Sequence, residues 1–133
     1  MTDYGGQNYP TICPYVFYED GMVAMEWLTR AFGFRERFRT MHDDGSLGHC
    51  EMELGEGVIM MGSGPGYKSP AHLGQTTVGL YVHVDDVEAH YQRAVAAGAD
   101  VDGPPVDKPY GVRSYGAVDC EGHQWWFSQP LPA

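Results

Sequence analysis

Residues 47–54 read LGHCEMEL, and their character alternates along what reads as a strand. Successive strand side chains point to opposite faces, so Gly48, Cys50, Met52 and Leu54 share one face and His49, Glu51 and Glu53 the other. An imidazole two residues from a carboxylate on one face is an acid–base pair or a set of polar anchors for a bound molecule. A solvated strand face produces the same alternation, and two donors are too few to define a metal site. A second stretch, residues 119–127 (DCEGHQWWF), runs from an acidic, glycine-containing turn into adjacent tryptophans. Alternation puts them on opposite faces: if Trp126 faces a cleft, Trp125 and Phe127 enter the core. Trp126 then either stacks on a ligand or simply fills the cleft. Arg113, in YGVRSYG, is placed to clamp an anionic group or to pair with the surplus of acids. No G-x-S-x-G, Walker loop or G-x-G-x-x-G after a strand is present, so no catalytic residue is assigned.

The elements that must hold these residues repeat. Shifted by 65 positions, Thr11 falls on Thr76, Asp20 on Asp85, Ala24 on Ala89, Ala31 on Ala96, Gly33 on Gly98, and Glu56-Gly57 on Glu121-Gly122. Each copy starts with an apolar strand and continues into a helical pattern. Asp20 caps the first helix, Ala24, Trp27, Leu28 and Ala31 form its buried stripe, and Gly33 ends it. In the second, Asp85 with Glu88 forms a capping box, Val87, Tyr91, Ala94 and Val95 the stripe, and Gly98 the stop. Turn signals at 43–45 and 55–57, and again at 103–105 and 121–122, cut the remainder of each copy into short strands.

The expected fold is therefore α+β: two tandem βαβββ modules, about 10–62 and 76–129, joined by a linker at 63–75 within a single domain spanning 1–133. One helix covers only one face of each module's sheet, so together they form a curved open mixed sheet around a cleft. Parity from the first strand and the 65-residue offset line that cleft with Tyr15, Phe17, Leu80, Val82, Ile59, Met61, Gln124 and Trp126, with Cys13 and Val78 at its mouth. His49, Glu51 and Arg113 complete the candidate ligand-binding set. The wall is apolar and aromatic, suited to a flat organic molecule.

Eighteen acidic against eight basic residues give a formal charge of −10, which excludes the basic surface that nucleic acid requires. No run approaches the ~20 apolar residues of a membrane span, and no signal peptide is read, so the expected location is cytoplasmic. The three cysteines, Cys13, Cys50 and Cys120, lie far apart without a C-x-x-C and read as reduced thiols.

The paired modules, the helix VDDVEAHYQRAVAAGA and the strand–turn YGVRSYGAVDCEGHQWWF resemble the vicinal-oxygen-chelate superfamily of glyoxalases, extradiol dioxygenases and bleomycin-resistance-type proteins. The resemblance covers about residues 10–129, with Cys120 where members often carry proline. It implies metal ligands on the first and last strands of each module, at Cys13, Met61, Val78 and Trp126 here. Cys, Met, Val and Trp do not make a site for a hard divalent ion. The resemblance therefore implies the metal-free, bleomycin-resistance-like branch: a small-molecule binder with no cofactor, acting on an aromatic or cationic antibiotic-like compound, as a homodimer. The alternative is a superfamily lyase or isomerase that uses a non-standard site at His49 and Glu51.

Overall fold

The computed structural model describes the backbone of residues 3–4 and 7–132, with side chains from Asn8 onward. Its elements are β1 (Asp3–Tyr4), β2 (Gln7–Asn8), β3 (Tyr15–Tyr18), α1 (Gly21–Phe32), β4 (Arg35–Met41), β5 (Leu47–Leu54), β6 (Gly57–Ser63), α2 (Pro70–Leu73), β7 (Gly79–His83), α3 (Val87–Ala96), β8 (Asp100–Val101), β9 (Val106–Asp107), β10 (Val112–Val118) and β11 (Gln124–Pro130). The βαβββ order is present in both copies, with β8 and β9 sharing one strand position beside β10. Instead of one continuous sheet there are two mixed sheets, ordered β3-β6-β5-β4 and β7-β11-β10-β8 with β9 also on β10, besides the β1-β2 pair. The linker is not plain coil. Ser69 caps the one-turn helix α2 by accepting from His72 N. Among the described residues no helix is long and apolar enough to cross a membrane.

The chain gathers into two compact units, residues 1–29 with 34–68, and residues 30–33 with 69–133. In unit 1 the Asp20 carboxylate accepts from Val23 N at 3.2 Å and starts α1. The core holds Ala24, Met25 and Leu28 of α1 with Val16, Tyr18, Leu47, Cys50, Met52, Val58, Ile59 and Met61 of the sheet, all buried. In unit 2 the last turn of α1 supplies Ala31 and Phe32, and these join Val87, Ala94, Tyr115, Ala117, Trp125 and Phe127. Phe32 lies 4.7 Å from Phe127 and 5.5 Å from Trp125, centroid to centroid. Each such ring contributes roughly 1.5–3 kcal/mol by leaving water. Val95, expected in the α3 stripe, is exposed instead, and only Val87 and Ala94 of that helix are buried.

Within this core His90 accepts the Tyr115 hydroxyl proton on Nδ1 at 2.6 Å and donates from Nε2 to the Phe32 carbonyl at 2.8 Å. Burial holds its pKa below the ordinary imidazole value of 6.5. The unfolded chain thus binds a proton that the folded chain resists. This contribution to stability is complete above pH 6.5 and declines as pH falls below it. Urea unfolding from pH 8 to 5 should show that decline, and His90→Gln should flatten the slope between pH 7 and 5.5. An unchanged slope would remove His90 as its cause.

The repeat is offset by one residue from the expected register at several places. The α3 cap is Asp86, which accepts from Ala89 N at 3.0 Å, not Asp85. Tyr15 pairs with Met60 in β3-β6, and Tyr81 pairs with Trp126 in β7-β11, so equivalent strand positions are 66 apart. At the helix stops Gly33 and Gly98, with φ of 82° and 85°, the spacing is 65. A one-residue slip transfers every side chain of a strand to the other face. Ile59 and Met61 therefore lie on the core face beside Met52 and Cys50. Leu80 and Val82 lie on the core face beside Trp125 and Phe127. All four were expected to line the cleft and do not. His83, expected on the helix side, pairs with Ser128 on the same face as Tyr81 and Trp126.

Candidate functional site

Unit 2 carries a hollow on the open face of its sheet, with a volume of about 500 Å³. Its floor is Tyr81, Trp126, Gly116 and Ser114, and the segment from Asp102 to Tyr110 forms its wall. Trp125 and Phe127 are fully buried whereas Trp126 is 39 % exposed, so alternation divides the pair as expected. The indole of Trp126 reaches diagonally across to β7 and lies on Gly79. A Cβ there would stand 2.2 Å from Cζ3 and 2.7 Å from Cη2. A strand residue without a side chain thus lets a large ring approach the backbone closely. The pair Tyr81 and Trp126 and the exposed Tyr110 give the hollow aromatic surface. Asp102 and Lys108 supply one charge of each sign at its edge. One Asp102 oxygen accepts from Gly116 N at 2.9 Å.

The turn before β11 is built around a buried carboxylate. Asp119 Oδ1 accepts from the backbone N of Glu121 and His123, each at 3.0 Å, and lies 3.1 Å from His123 Nδ1. Oδ2 accepts the Trp125 indole N–H at 3.0 Å. The acidic turn thereby fixes the rotamer of Trp125 and, through it, the strand that presents Trp126. Of the other residues expected here, Gln124 does share the face of Trp126, but its amide donates to the carbonyls of Trp125 (2.9 Å) and Ala117 (3.3 Å). Arg113 shares the face of Tyr115 and Phe127, opposite Trp126, and its guanidinium is held by Asp107 at 2.7 Å. That pairing keeps the Asp107 carboxyl below its ordinary pKa. Arg113 is thus removed from any site on the open face. Tyr81, Tyr110, Lys108, Asp102 and Gly79 were missed. Tyr81 and Gly79 follow from the slipped register, and the others sit in turns without a distinguishing pattern.

Unit 1 presents Tyr15, Phe17, Phe38, Met60 and His49 on the open face of its own sheet. Tyr15, Phe17 and Phe38 are 45–47 % exposed. Glu51 shares this face but is buried, because Tyr9 folds over it and donates its hydroxyl to the carboxylate at 2.7 and 2.8 Å. That bond pushes the Tyr9 pKa up to about 12. The Arg37 guanidinium lies over the Tyr9 ring, 4.9 Å from its centroid. His49 links inward and outward, with Nε2 3.5 Å from Glu51 Oε2 and Nδ1 2.9 Å from the Tyr15 hydroxyl. Tyr15, His49 and Glu51 are thus brought together on one face, whereas Tyr9, which completes the chain, was not anticipated.

A model of the "Glyoxalase/Bleomycin resistance protein/Dioxygenase superfamily" matches residues 13–127. The chain belongs to this superfamily. An uncharacterized protein of Mycobacterium bovis is 33 % identical over 129 residues, covering 92 % of this chain and 84 % of the relative. The crystal structure of TioX from Micromonospora sp. ML1 superposes with a TM-score of 0.73 at 34 % identity, covering 93 % of this chain and 98 % of TioX. The fosfomycin resistance protein FosX from Mesorhizobium loti has a TM-score of 0.64 at 16 % identity, covering 94 % and 95 % of the two chains, and shares the fold.

The resemblance implies metal ligands on the first and last strands of each module. Here the equivalent residues on the last strands are Met60 and Trp126, a thioether and an indole, with tyrosines opposite both. Met60 replaces the expected Met61, and the chemistry is equally unsuited to a hard divalent ion. Among the described residues no three His, Cys, Asp or Glu side chains converge as a metal would require. Both Glu51 oxygens already accept from Tyr9. The residues present do not fit the superfamily's divalent centre.

Proposed function

We propose that this superfamily member binds a planar organic molecule, by stacking and shape, in the Trp126 hollow, without a metal. One observation carries the reading: the part-exposed indole of Trp126 packs against Gly79 and lines a hollow that Tyr81 and Tyr110 also line. Aromatic surface around a concavity with a few polar groups is the usual anatomy of a small-molecule site. Sequestration of an aromatic or cationic antibiotic-like compound, by a cytoplasmic homodimer, is the role this reading carries. Resistance in the superfamily's name, and in that of FosX, supports it as a class of role.

The test uses protein stripped with EDTA and titrated with proflavine, 2-naphthol and anilinonaphthalene sulfonate, followed by tryptophan quenching and thermal shift. At least one probe should bind the stripped protein as tightly as untreated protein. Trp126→Ala should weaken it at least tenfold, since a stacked ring contributes about 0.5–1.5 kcal/mol beyond the apolar area it buries. Binding that returns only with zinc or manganese would overturn metal independence, and unchanged affinity in Trp126→Ala would overturn the site.

The Tyr15–His49–Glu51–Tyr9 chain favours a second reading, acid–base chemistry of a lyase or isomerase at His49. Turnover of a superfamily substrate that His49→Ala abolishes and Trp126→Ala does not would select it.

A further inference from the structure

We infer that the open face of unit 1 binds a primary ammonium group at the Tyr15 hydroxyl oxygen. This rests on unit 1 alone and is independent of the Trp126 hollow. His49 stands between a buried carboxylate and an exposed phenol, with Nε2 toward Glu51 and Nδ1 toward Tyr15. A neutral imidazole has a single N–H. A bare Nε2 would aim its lone pair at the carboxylate, so the proton sits on Nε2 and Nδ1 is left as an acceptor. The Tyr15 hydroxyl gives its only proton to Nδ1. Its oxygen therefore offers nothing but lone pairs to the open face. Thr40 and Gly62 lie opposite His49 on the flanking strands, so neither neighbour adds a charge that would reverse this polarity.

The surroundings select a cation. Tyr15 lies 5.1 Å from Phe17, which lies 4.6 Å from Tyr67, centroid to centroid. The rings converge over Gly62, where a Cβ would stand 3.0 Å from Tyr15 Cε1, 3.2 Å from Phe17 Cδ1 and 3.3 Å from the Tyr67 hydroxyl. Aromatic faces carry negative quadrupole density, which attracts ammonium and repels anions. The formal charge of −10 adds long-range attraction of the same sign. An amine with N–H donors satisfies the Tyr15 oxygen and the rings together, whereas a quaternary ammonium satisfies only the rings.

Benzylammonium, benzyltrimethylammonium and benzoate serve as probes, titrated at pH 8 into isotope-labelled protein and read by NMR shifts of β3 and β5. Wild type should prefer benzylammonium to benzoate by at least tenfold. Tyr15→Phe should weaken benzylammonium about tenfold, the loss of one charge-assisted hydrogen bond, and leave benzyltrimethylammonium within twofold. His49→Phe frees the Tyr15 proton to turn outward, so benzylammonium should weaken and benzoate strengthen. Equal binding of benzoate and benzylammonium by wild type, or an unchanged benzylammonium affinity in Tyr15→Phe, would overturn the site. If His49→Phe does not fold, Tyr15→Phe decides, because it removes one hydroxyl from an exposed side chain.

Discussion

Replacing Asp119 with alanine should destabilise the protein by about 3–5 kcal/mol, the range for removing one member of a buried hydrogen-bonded network. For a chain of this size that is a fall in Tm of roughly 10–20 °C. The carboxylate accepts from two backbone amides and the Trp125 indole, and lies 3.1 Å from His123 Nδ1. Alanine removes the shared acceptor of the two turn amides and of the indole of the fully buried Trp125. Asparagine keeps one acceptor oxygen and sets an amide against either the indole N–H or the turn amides. Its loss should be intermediate, about 2 kcal/mol. Urea unfolding measures both, and near-ultraviolet circular dichroism should report a loosened Trp125. A loss under 1 kcal/mol for Asp119→Ala would show that the turn stands without its carboxylate.

Gly79→Ala should weaken the planar ligand by at least tenfold while leaving the fold in place. The added methyl would meet the Trp126 ring at 2.2 Å, far inside contact distance, so the indole must lift off the strand and tilt into the hollow. The Gly79 backbone is not among the positive-φ glycines, so the effect comes from the ring and not from strain. The control is Gly57→Ala, where the nearest atom to an added Cβ is 3.4 Å away. Proflavine and naphthol titrations of the two variants should separate by an order of magnitude. Equal affinities would mean that the close packing of Trp126 on Gly79 is irrelevant to recognition.

Much of the fold was legible because its signals are local. The turns at 43–45 and 55–57 fall between β4, β5 and β6, and the stops at Gly33 and Gly98 take the positive φ that favours glycine. The division of Trp125 from Trp126, and the companionship of His49 with Glu51, follow from alternation along a single strand. Matching one module to the other went wrong because the spacing is 65 at the helix stops and 66 between Tyr15 and Tyr81. Identities at caps and stops do not report strand register, and parity turns one residue into the opposite face. Tyr9 over Glu51, and Tyr110 with Lys108 beside the hollow, arise from loop paths that no periodicity encodes.

Phe32 and its neighbours Arg30 to Gly33 belong to unit 2 although the rest of α1 belongs to unit 1. The duplicated halves are therefore not interchangeable cassettes. A fragment beginning at Ser69 would inherit every strand of its sheet and still lack the ring that plugs the space between Trp125 and Phe127. Residues 30–33, drawn from the first copy, complete the core of the second, so no single cut releases unit 2 whole.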